Sequence, residues 1–170
     1  MKRNLSLFIA VCLVAGLFAA CSKEDSAPKN RYEDILSARQ DSLILQYLAT
    51  NNLTAYFDPS GLYFRILNPG DGVHYITLTD TPYVIYSRRL LNGMIVESSK
   101  GQVTNFDGRQ LKDHIPGWQI GLQKISKGGT IELYIPAVLG FGSQAIYEGN
   151  TLIVPANAVQ ICQVELVDFH

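Results

Sequence analysis

The chain has few of the features that metalloenzymes, phosphate-binding enzymes and nucleic-acid-binding proteins require. Its 14 basic and 15 acidic side chains give a formal net charge of −1, so a basic surface for nucleic acid is not expected. The three histidines, His74, His114 and His170, are scattered, and no two histidines or cysteines have the spacing of metal ligands. A nucleophile elbow and a glycine-rich phosphate loop are also missing. We therefore expect no metal ion, no cofactor and no nucleic-acid partner.

Cysteine is scarce, and two of the three cysteines, Cys12 and Cys21, belong to the N-terminal segment rather than to a folded domain. That segment begins with basic residues 2–3 and continues with residues 5–20, which are almost wholly apolar. The apolar run is shorter than the ~20 residues of a membrane-spanning helix. It is typical of a signal peptide, with a single membrane anchor as the alternative. A disulfide scaffold is excluded, because only Cys162 remains for the domain.

The end of this segment, Leu17–Cys21, is similar to a bacterial lipobox, with small residues directly before the cysteine. We expect residues 1–20 to be removed as a signal peptide and the thiol of Cys21 to receive a lipid. Residues 21–30 are polar and are expected to form a solvated tether. The protein is therefore predicted to be an exported lipoprotein that a membrane holds through the N-terminal lipid.

Residues 31–57 form the predicted N-terminal helical segment. Six apolar residues recur there at the three- and four-residue spacing of an amphipathic helix: Ile35, Leu36, Leu43, Ile44, Tyr47 and Leu48. Such a stripe needs a partner that covers it. The sequence leaves open whether the stripe packs on the following domain or on a second copy, so a homodimer through this helix is an alternative.

From residue 61 the apolar pattern changes to alternation, which predicts β-strands. The predicted strands cover residues 62–67, 74–79, 82–91, 94–98, 131–135 and 158–169, and Asn92–Gly93 predicts a hairpin turn. One short helix is predicted at residues 116–125, with Pro116 near its first turn. A mostly antiparallel sheet that covers one short helix is an α+β fold, and residues 61–170 are predicted to form one domain.

Five short motifs occur in order within this domain. They are Tyr86 to Gly93 followed by Val96–Ser99, then Ile115–Leu122, Lys127–Pro136, Gly140–Gly142, and Val154–Ala158 followed by Val164–Leu166. Together they resemble the FKBP-type peptidyl-prolyl cis-trans isomerases over residues 61–169. The resemblance implies an FKBP-like antiparallel half-barrel sheet wrapped on the short helix, which the N-terminal amphipathic helix precedes.

The same resemblance implies an isomerase that acts on exported or envelope polypeptides containing proline. With the lipobox, it indicates a lipoprotein form from a Gram-negative bacterium of the Bacteroidetes type. The expected location is the cell envelope, with the domain facing the periplasm or held at the outer membrane.

Prolyl isomerisation explains why the chain needs no nucleophile. Rotation about an X–Pro bond breaks amide conjugation, crosses a barrier of ~18–20 kcal/mol and takes tens to hundreds of seconds unaided. The twisted transition state has less charge separation than the planar amide. An apolar pocket therefore favours it over water, and one hydrogen-bond donor is enough to hold the displaced carbonyl.

The resemblance also implies the residues of that pocket. Trp118 is its floor, and the walls are Tyr86, Phe106, Ile115 and Val154. The amide of Ile115 and the loop of Phe141 are implied to meet the peptide backbone, while Glu97 takes the place of the family's aspartate. In all, catalytic roles are implied for Tyr86, Glu97, Phe106, Ile115, Trp118 and Phe141, and substrate contacts for Val96, Val154 and Cys162.

Several positions depart from the family pattern. Val96 stands where the family has phenylalanine, Cys162 replaces an aromatic residue, and Phe141 replaces a tyrosine and lacks its hydroxyl. Arg88 stands where the family has glycine two residues after its tyrosine. Losing one neutral hydrogen bond removes ~0.5–1.5 kcal/mol, at most about tenfold in rate. The sequence therefore leaves two functions open: an active isomerase, or an FKBP-like lipoprotein that binds peptides as a chaperone with little or no turnover.

Overall fold

The structure, a computed structural model, describes residues 28–170. The predicted signal peptide, the predicted lipidation site at Cys21 and most of the predicted tether lie outside the described residues. Within residues 28–170, no helix is both long enough and apolar enough to cross a membrane.

Residues 28–170 form two α-helices, eight strands and three short 3-10 turns. In chain order the helices and strands are α1 (Pro28–Thr50), β1 (Tyr56–Phe57), β2 (Tyr63–Asn68), β3 (Pro82–Leu90), β4 (Ile95–Ser98), α2 (Pro116–Leu122), β5 (Gly129–Ile135), β6 (Ile146–Glu148), β7 (Thr151–Val154) and β8 (Gln160–Phe169). The 3-10 turns are Phe106–Gly108, Leu111–Asp113 and Ala137–Leu139. The predicted α+β fold class is confirmed.

Six strands form one antiparallel sheet in the order β1-β2-β5-β8-β3-β4. Strand β8 lies inside the sheet, because it pairs with β5 on one side and with β3 on the other. Cys162 of β8 is therefore opposite Leu133 on one side and opposite Arg88 on the other. Strands β6 and β7 form a separate hairpin outside this sheet.

One face of the sheet packs on α2. The strands alternate, so every second side chain of β5, namely Ile131, Leu133 and Ile135, lies in the core beneath this helix. Helix α2 approaches β5 closely because two of its residues are glycines. A Cβ on Gly121 would lie 2.5 Å from Leu133 Cδ2, and one on Gly117 would lie 2.8 Å from Ile135 Cγ2. The close approach brings Trp118 into the concave side of the sheet.

The opposite face of the sheet is covered by the C-terminal half of α1. Ile44 and Leu48 are buried there in one cluster with Tyr63, Tyr134 and Ile161. The packing on the domain that the sequence left open is thus observed for this part of the helix. Two residues of the predicted stripe are not part of this buried face, since Ile35 is 61% exposed and Leu43 is 40% exposed.

A polar residue that the stripe did not include completes the buried face of α1. Gln40 is buried, and its Oε1 accepts a hydrogen bond of 2.9 Å from the Ala137 amide. Its Nε2 donates to the Asn157 carbonyl at 3.0 Å. A glutamine is tolerated at this core position because both ends of its amide are paired with backbone groups.

The strand predicted at residues 74–79 is wrong. Only an isolated bridge between Tyr75 and Ser126 forms in this segment. Two carboxylates bind the backbone and stabilise turns instead: the Asp71 carboxylate accepts from the His74 amide at 3.0 Å, and the Asp80 carboxylate accepts from the Thr77 amide at 2.8 Å. Strand β1 and the hairpin of β6 and β7 have no counterpart among the predicted strands, and α2 ends at Leu122 rather than at the predicted residue 125.

Candidate functional site

A cleft of about 580 Å³ opens on the concave side of the sheet, beside the N-terminal end of α2. Its walls come from β3, β4, the loop around Phe106, the loop around Phe141, and the hairpin of β6 and β7. The lining residues are Arg88, Val96, Glu97, Phe106, Arg109, Asp113, His114, Ile115, Trp118, Phe141, Ile146, Tyr147, Glu148, Ile153 and Val154. Apolar and aromatic side chains thus surround a few charged groups, as in most sites for small ligands and peptides.

Aromatic rings form the floor of the cleft. Trp118, only 1% exposed, packs edge-on against Tyr86 and Phe106, with ring centroids 5.2 Å and 5.6 Å away. The ring of His114 stacks on Trp118 at 5.5 Å. These contacts hold the indole in one orientation, so the floor is preformed.

Phe106 reaches the floor from a strained backbone. Its φ is +52°, a left-handed conformation that bulky residues rarely adopt. Such strain costs roughly 1–3 kcal/mol and persists only where the surrounding contacts outweigh it. Here the ring contacts Tyr86, His114 and Trp118, which supply that packing.

A charged pair on the β3–β4 hairpin lies at one end of the cleft. Arg88 and Glu97 are opposite each other in the register of the two strands, and Arg88 Nη1 donates to Glu97 Oε2 at 2.6 Å. The Tyr86 hydroxyl donates to the other carboxylate oxygen at 2.7 Å. Burial, together with this carboxylate, raises the pKa of Tyr86 well above its ordinary value, so the hydroxyl stays protonated and keeps donating.

Arg88 is buried although it carries a charge. The residue is 9% exposed, and its guanidinium carbon lies 5.0 Å from the ring centroid of Phe141 and 5.8 Å from that of Trp118. These distances are those of cation–π contacts. The ion pair with Glu97 and the two rings together stabilise this buried cation.

The structure brings most of the predicted site residues together. Seven of the nine predicted catalytic and substrate-contacting residues line the cleft: Val96, Glu97, Phe106, Ile115, Trp118, Phe141 and Val154. Tyr86 lies behind them, since it is 7% exposed and contacts the cleft through Phe106 and Trp118. Cys21, the predicted lipidation site, is outside the described residues.

Cys162 does not line the cleft, so the substrate contact predicted for it does not fit its position. The residue is fully buried on β8, opposite Arg88. Burial raises the pKa of its thiol, which favours the neutral form. Cys162 therefore acts as a small core residue beneath the site.

Several residues that line the cleft were not among the predicted site residues. His114 was noted only as one of three scattered histidines, and its ring stacks on Trp118 of the floor. Burial lowers the pKa of His114, so the ring is neutral near pH 7. The sequence did hold one signal for a site role of His114, namely its position directly before the predicted site residue Ile115. Tyr147 and Glu148 belong to the hairpin of β6 and β7, which was not predicted, and no motif pointed to them.

No metal site is evident in the part of the chain that the structure describes, because no three His, Cys, Asp or Glu side chains are grouped closely enough to hold an ion. The cleft combines an aromatic floor and apolar walls with the charged side chains of Glu97, Arg109, Asp113 and Glu148. The floor offers an aromatic surface for a ring, and the only deeply buried charge among the lining residues is Arg88.

Comparisons with known proteins agree with this geometry. The family model of FKBP-type peptidyl-prolyl cis-trans isomerases matches residues 74–167. The probable FKBP-type peptidyl-prolyl cis-trans isomerase of Haemophilus influenzae is 40% identical over 113 residues, which cover 65% of this chain and 44% of that protein. The peptidyl-prolyl cis-trans isomerase Mip of Coxiella burnetii is 34% identical over 110 residues, covering 64% of this chain and 44% of Mip.

Solved structures show the same fold. The crystal structure of FkpA from Escherichia coli superposes with a TM-score of 0.61 at 26% identity, covering 99% of this chain and 83% of that chain. A peptidyl-prolyl cis-trans isomerase from Pseudomonas syringae gives a TM-score of 0.63 at 21% identity, and the match covers 80% of this chain and 94% of that chain. The chain spans less than half the length of the curated relatives named above. Because the family model covers more than half of the chain, this protein belongs to the FKBP-type peptidyl-prolyl cis-trans isomerase family.

Proposed function

We propose that residues 61–170 form a peptidyl-prolyl cis-trans isomerase domain that acts on proline-containing segments of exported or envelope polypeptides. The observation that supports this most is the preformed aromatic floor around Trp118, at the base of the cleft. In this proposal the proline ring lies on Trp118, and the walls of Phe106, Ile115 and Val154 exclude water from the rotating bond.

Exclusion of water is what accelerates the rotation. The planar X–Pro amide is more polar than its twisted transition state, so water stabilises the ground state more than the transition state. The apolar walls remove that preference, and catalysis follows from stronger binding of the transition state. The charge of Arg88 opposes this effect little, because Glu97 pairs with it at 2.6 Å.

A protease-coupled isomerisation assay on an X–Pro peptide tests the proposal. The wild type is expected to accelerate the cis-to-trans step, and Trp118→Phe to lower kcat/KM by about tenfold, the effect of losing about 1.4 kcal/mol of transition-state contacts. Phe57→Leu is the matched control, because Phe57 is 58% exposed on β1 and does not line the cleft. A wild type no faster than the uncatalysed reaction would contradict the proposal.

A second candidate is a peptide-binding chaperone with little turnover. Phe141 supports it, because this cleft residue has a ring but no hydroxyl to donate to the peptide. The two candidates differ in one measurement. A chaperone would bind the prolyl peptide and suppress aggregation of an unfolded protein while the isomerisation rate stays at its uncatalysed value.

We further propose that the protein is a lipoprotein whose anchor is Cys21, after removal of residues 1–20, with residues 21–30 as the tether to the envelope membrane. The lipobox-like segment Leu17–Cys21 supports this proposal. Cys21→Ser is expected to stay uncleaved and to incorporate no labelled fatty acid, whereas Cys12→Ser should be processed normally. Incorporation of the label into the Cys21→Ser variant would contradict the anchor.

We also propose that the protein forms a homodimer through α1. Ile35 and Leu43 belong to the predicted apolar stripe but stay exposed, so a second copy is a suitable partner for them. Light scattering on the protein without residues 1–20 is expected to give a dimer mass, and Ile35→Glu to give a monomer. A monomer at every concentration of the wild type would contradict this.

A further inference from the structure

The buried arginine of the cleft has more hydrogen-bonding capacity than the protein uses. A guanidinium has five N–H groups in a fixed fork. Nη1 of Arg88 donates to Glu97, while Nε is buried and has no hydrogen-bond partner within residues 28–170. Because Nε is enclosed within the protein, the N–H groups of Nη1 and Nη2 that Glu97 does not use are the donors available to an acceptor in the cleft that Arg88 lines.

The position of the arginine follows from its neighbour across the sheet. Arg88 on β3 is directly opposite Cys162 on β8, and opposite side chains in such a pair have Cβ atoms about 5 Å apart. Cys162 is small, so it leaves room beneath the floor for the arginine. The guanidinium therefore turns inward, beside the rings of Trp118 and Phe141.

We propose that Arg88 contacts the substrate and donates a hydrogen bond to the carbonyl oxygen of the residue before proline. This inference rests on the proposed binding of prolyl peptides in the cleft. The carbonyl oxygen is the acceptor of a planar X–Pro amide, because proline has no N–H and its nitrogen lone pair is conjugated. Arg88 lines the cleft next to the ring on which the proline is proposed to lie.

The contact has a definite kinetic consequence. The carbonyl oxygen is more negative in the planar amide than in the twisted transition state. A cationic donor therefore stabilises the bound ground state at least as strongly as it stabilises the transition state. Such an interaction lowers KM without raising kcat. Arg88 therefore makes the cleft bind prolyl peptides tightly, and it does not contribute to the speed of the bond rotation itself.

The test measures kcat and KM separately, together with the Kd of the same prolyl peptide. Trp118 is the single tryptophan of the chain, so its fluorescence reports binding at the cleft without requiring turnover. Arg88→Met is expected to raise KM and Kd by about tenfold or more, as for a hydrogen bond to a charged group, and to leave kcat unchanged or higher. Glu97 is not left buried and unpaired, because its side chain is 45% exposed and keeps the Tyr86 hydroxyl as a donor.

Three further variants keep the result interpretable. Arg89→Met is the matched control, since Arg89 is the next residue on β3 and pairs with Glu132 on the opposite face of the sheet. It should leave KM and Kd unchanged in the folded protein. Adding Phe141→Tyr to Arg88→Met places a neutral donor beside the vacated position and should recover part of the lost affinity. If Arg88→Met does not fold, Arg88→Lys, which keeps the charge but not the fork, should show a smaller rise in Kd.

The outcomes separate this contact from the proposed function. Unchanged KM and Kd in Arg88→Met would overturn the contact, and a fall in kcat at constant KM would do so as well. A wild type without turnover whose Kd still depends on Arg88 would overturn the isomerase function and support the contact.

Discussion

At the scale of single residues, the site depends on two small residues. Gly121 stands inside a helix, and Cys162 stands where the family has an aromatic residue. Gly121 lets α2 approach β5, and Cys162 leaves the space opposite Arg88. Each of these positions acts on the cleft through a neighbour and touches no substrate. Their substitution is expected to change stability or the position of the cleft residues first.

Gly121→Ala is expected to destabilise the fold. Alanine normally stabilises a helix by ~1 kcal/mol relative to glycine. Here its Cβ would lie 2.5 Å from Leu133 Cδ2 in a packed core, where overpacking costs typically ~1–3 kcal/mol, so the clash outweighs the helical gain. Urea unfolding should show a lower free energy of unfolding.

The double variant Gly121→Ala with Leu133→Ala gives the control for this explanation. Leu133→Ala removes the atoms that clash, so the double variant should be more stable than the sum of the two single effects. Strict additivity would mean that the clash is absent and that α2 moves freely away from β5.

At the scale of helices and strands, α1 is held to the sheet by a narrow row of buried residues. Ile44 is fully buried, whereas the next residue along the helix, Leu45, is 51% exposed. The two side chains are both aliphatic and of similar size, but only Ile44 is buried. This pair measures how much α1 contributes to the stability of the domain.

Ile44→Ala is expected to lower the free energy of unfolding by about 2–5 kcal/mol, because it leaves a cavity between α1 and the sheet. Leu45→Ala should change it by no more than about 0.5 kcal/mol. Thermal or urea unfolding of both variants makes the comparison. Equal effects would indicate that α1 does not pack on the sheet in solution.

Elements with a clear apolar period could be predicted from the sequence, and elements set by side chain–backbone contacts could not. The alternation in β3, β5 and β8 and the Pro116 start of α2 are local signals, and the structure has these elements. The segment 74–79 has enough β-forming residues for a strand, but Asp71 and Asp80 bind its amides and make turns. The hairpin of β6 and β7 is short and mostly exposed, so it had no apolar period to detect.

The candidate site shows the same division. Ordered motifs pointed to Trp118, Phe106 and Ile115, whose relation to the cleft follows from the family pattern. The inward position of Arg88 depends on its pairing with Cys162, seventy-four positions away in sequence. Local sequence patterns do not reveal contacts between residues so far apart. The burial of Cys162 below the floor is a consequence of the same pairing.

At the scale of the whole molecule, stability is expected to depend on pH through an ion pair between distant parts of the chain. Asp58, in the turn before β2, binds Lys124, which follows α2, at 2.6 Å. The hydrogen bond from Lys124, followed by one from the Ser60 amide, lowers the pKa of Asp58 from 3.8 to about 2. A carboxyl whose folded pKa is depressed stabilises the fold above its unfolded pKa, and this contribution is lost as the pH falls.

Asp58→Asn is therefore expected to be less stable than the wild type by about 1 kcal/mol near pH 6, since both partners are partly exposed and solvent screens the pair. The difference should shrink as the pH falls below 3.8 and vanish only below the folded pKa of about 2, where the carboxyl is protonated in the folded protein as well. Urea unfolding at several pH values measures it. Lys124→Gln should show the same pH dependence, and a difference as large at pH 2 as at pH 6 would exclude this explanation.

The place of β8 in the sheet has a consequence for biosynthesis. Both of its neighbours, β3 and β5, precede it in sequence, and each has an unpaired edge until residues 160–169 are available. A ribosome-bound chain that ends before Gln160 lacks the strand that joins the two halves of the sheet, so the domain is unable to close during synthesis. Folding of the domain is therefore expected to wait until residues 160–169 have been synthesised.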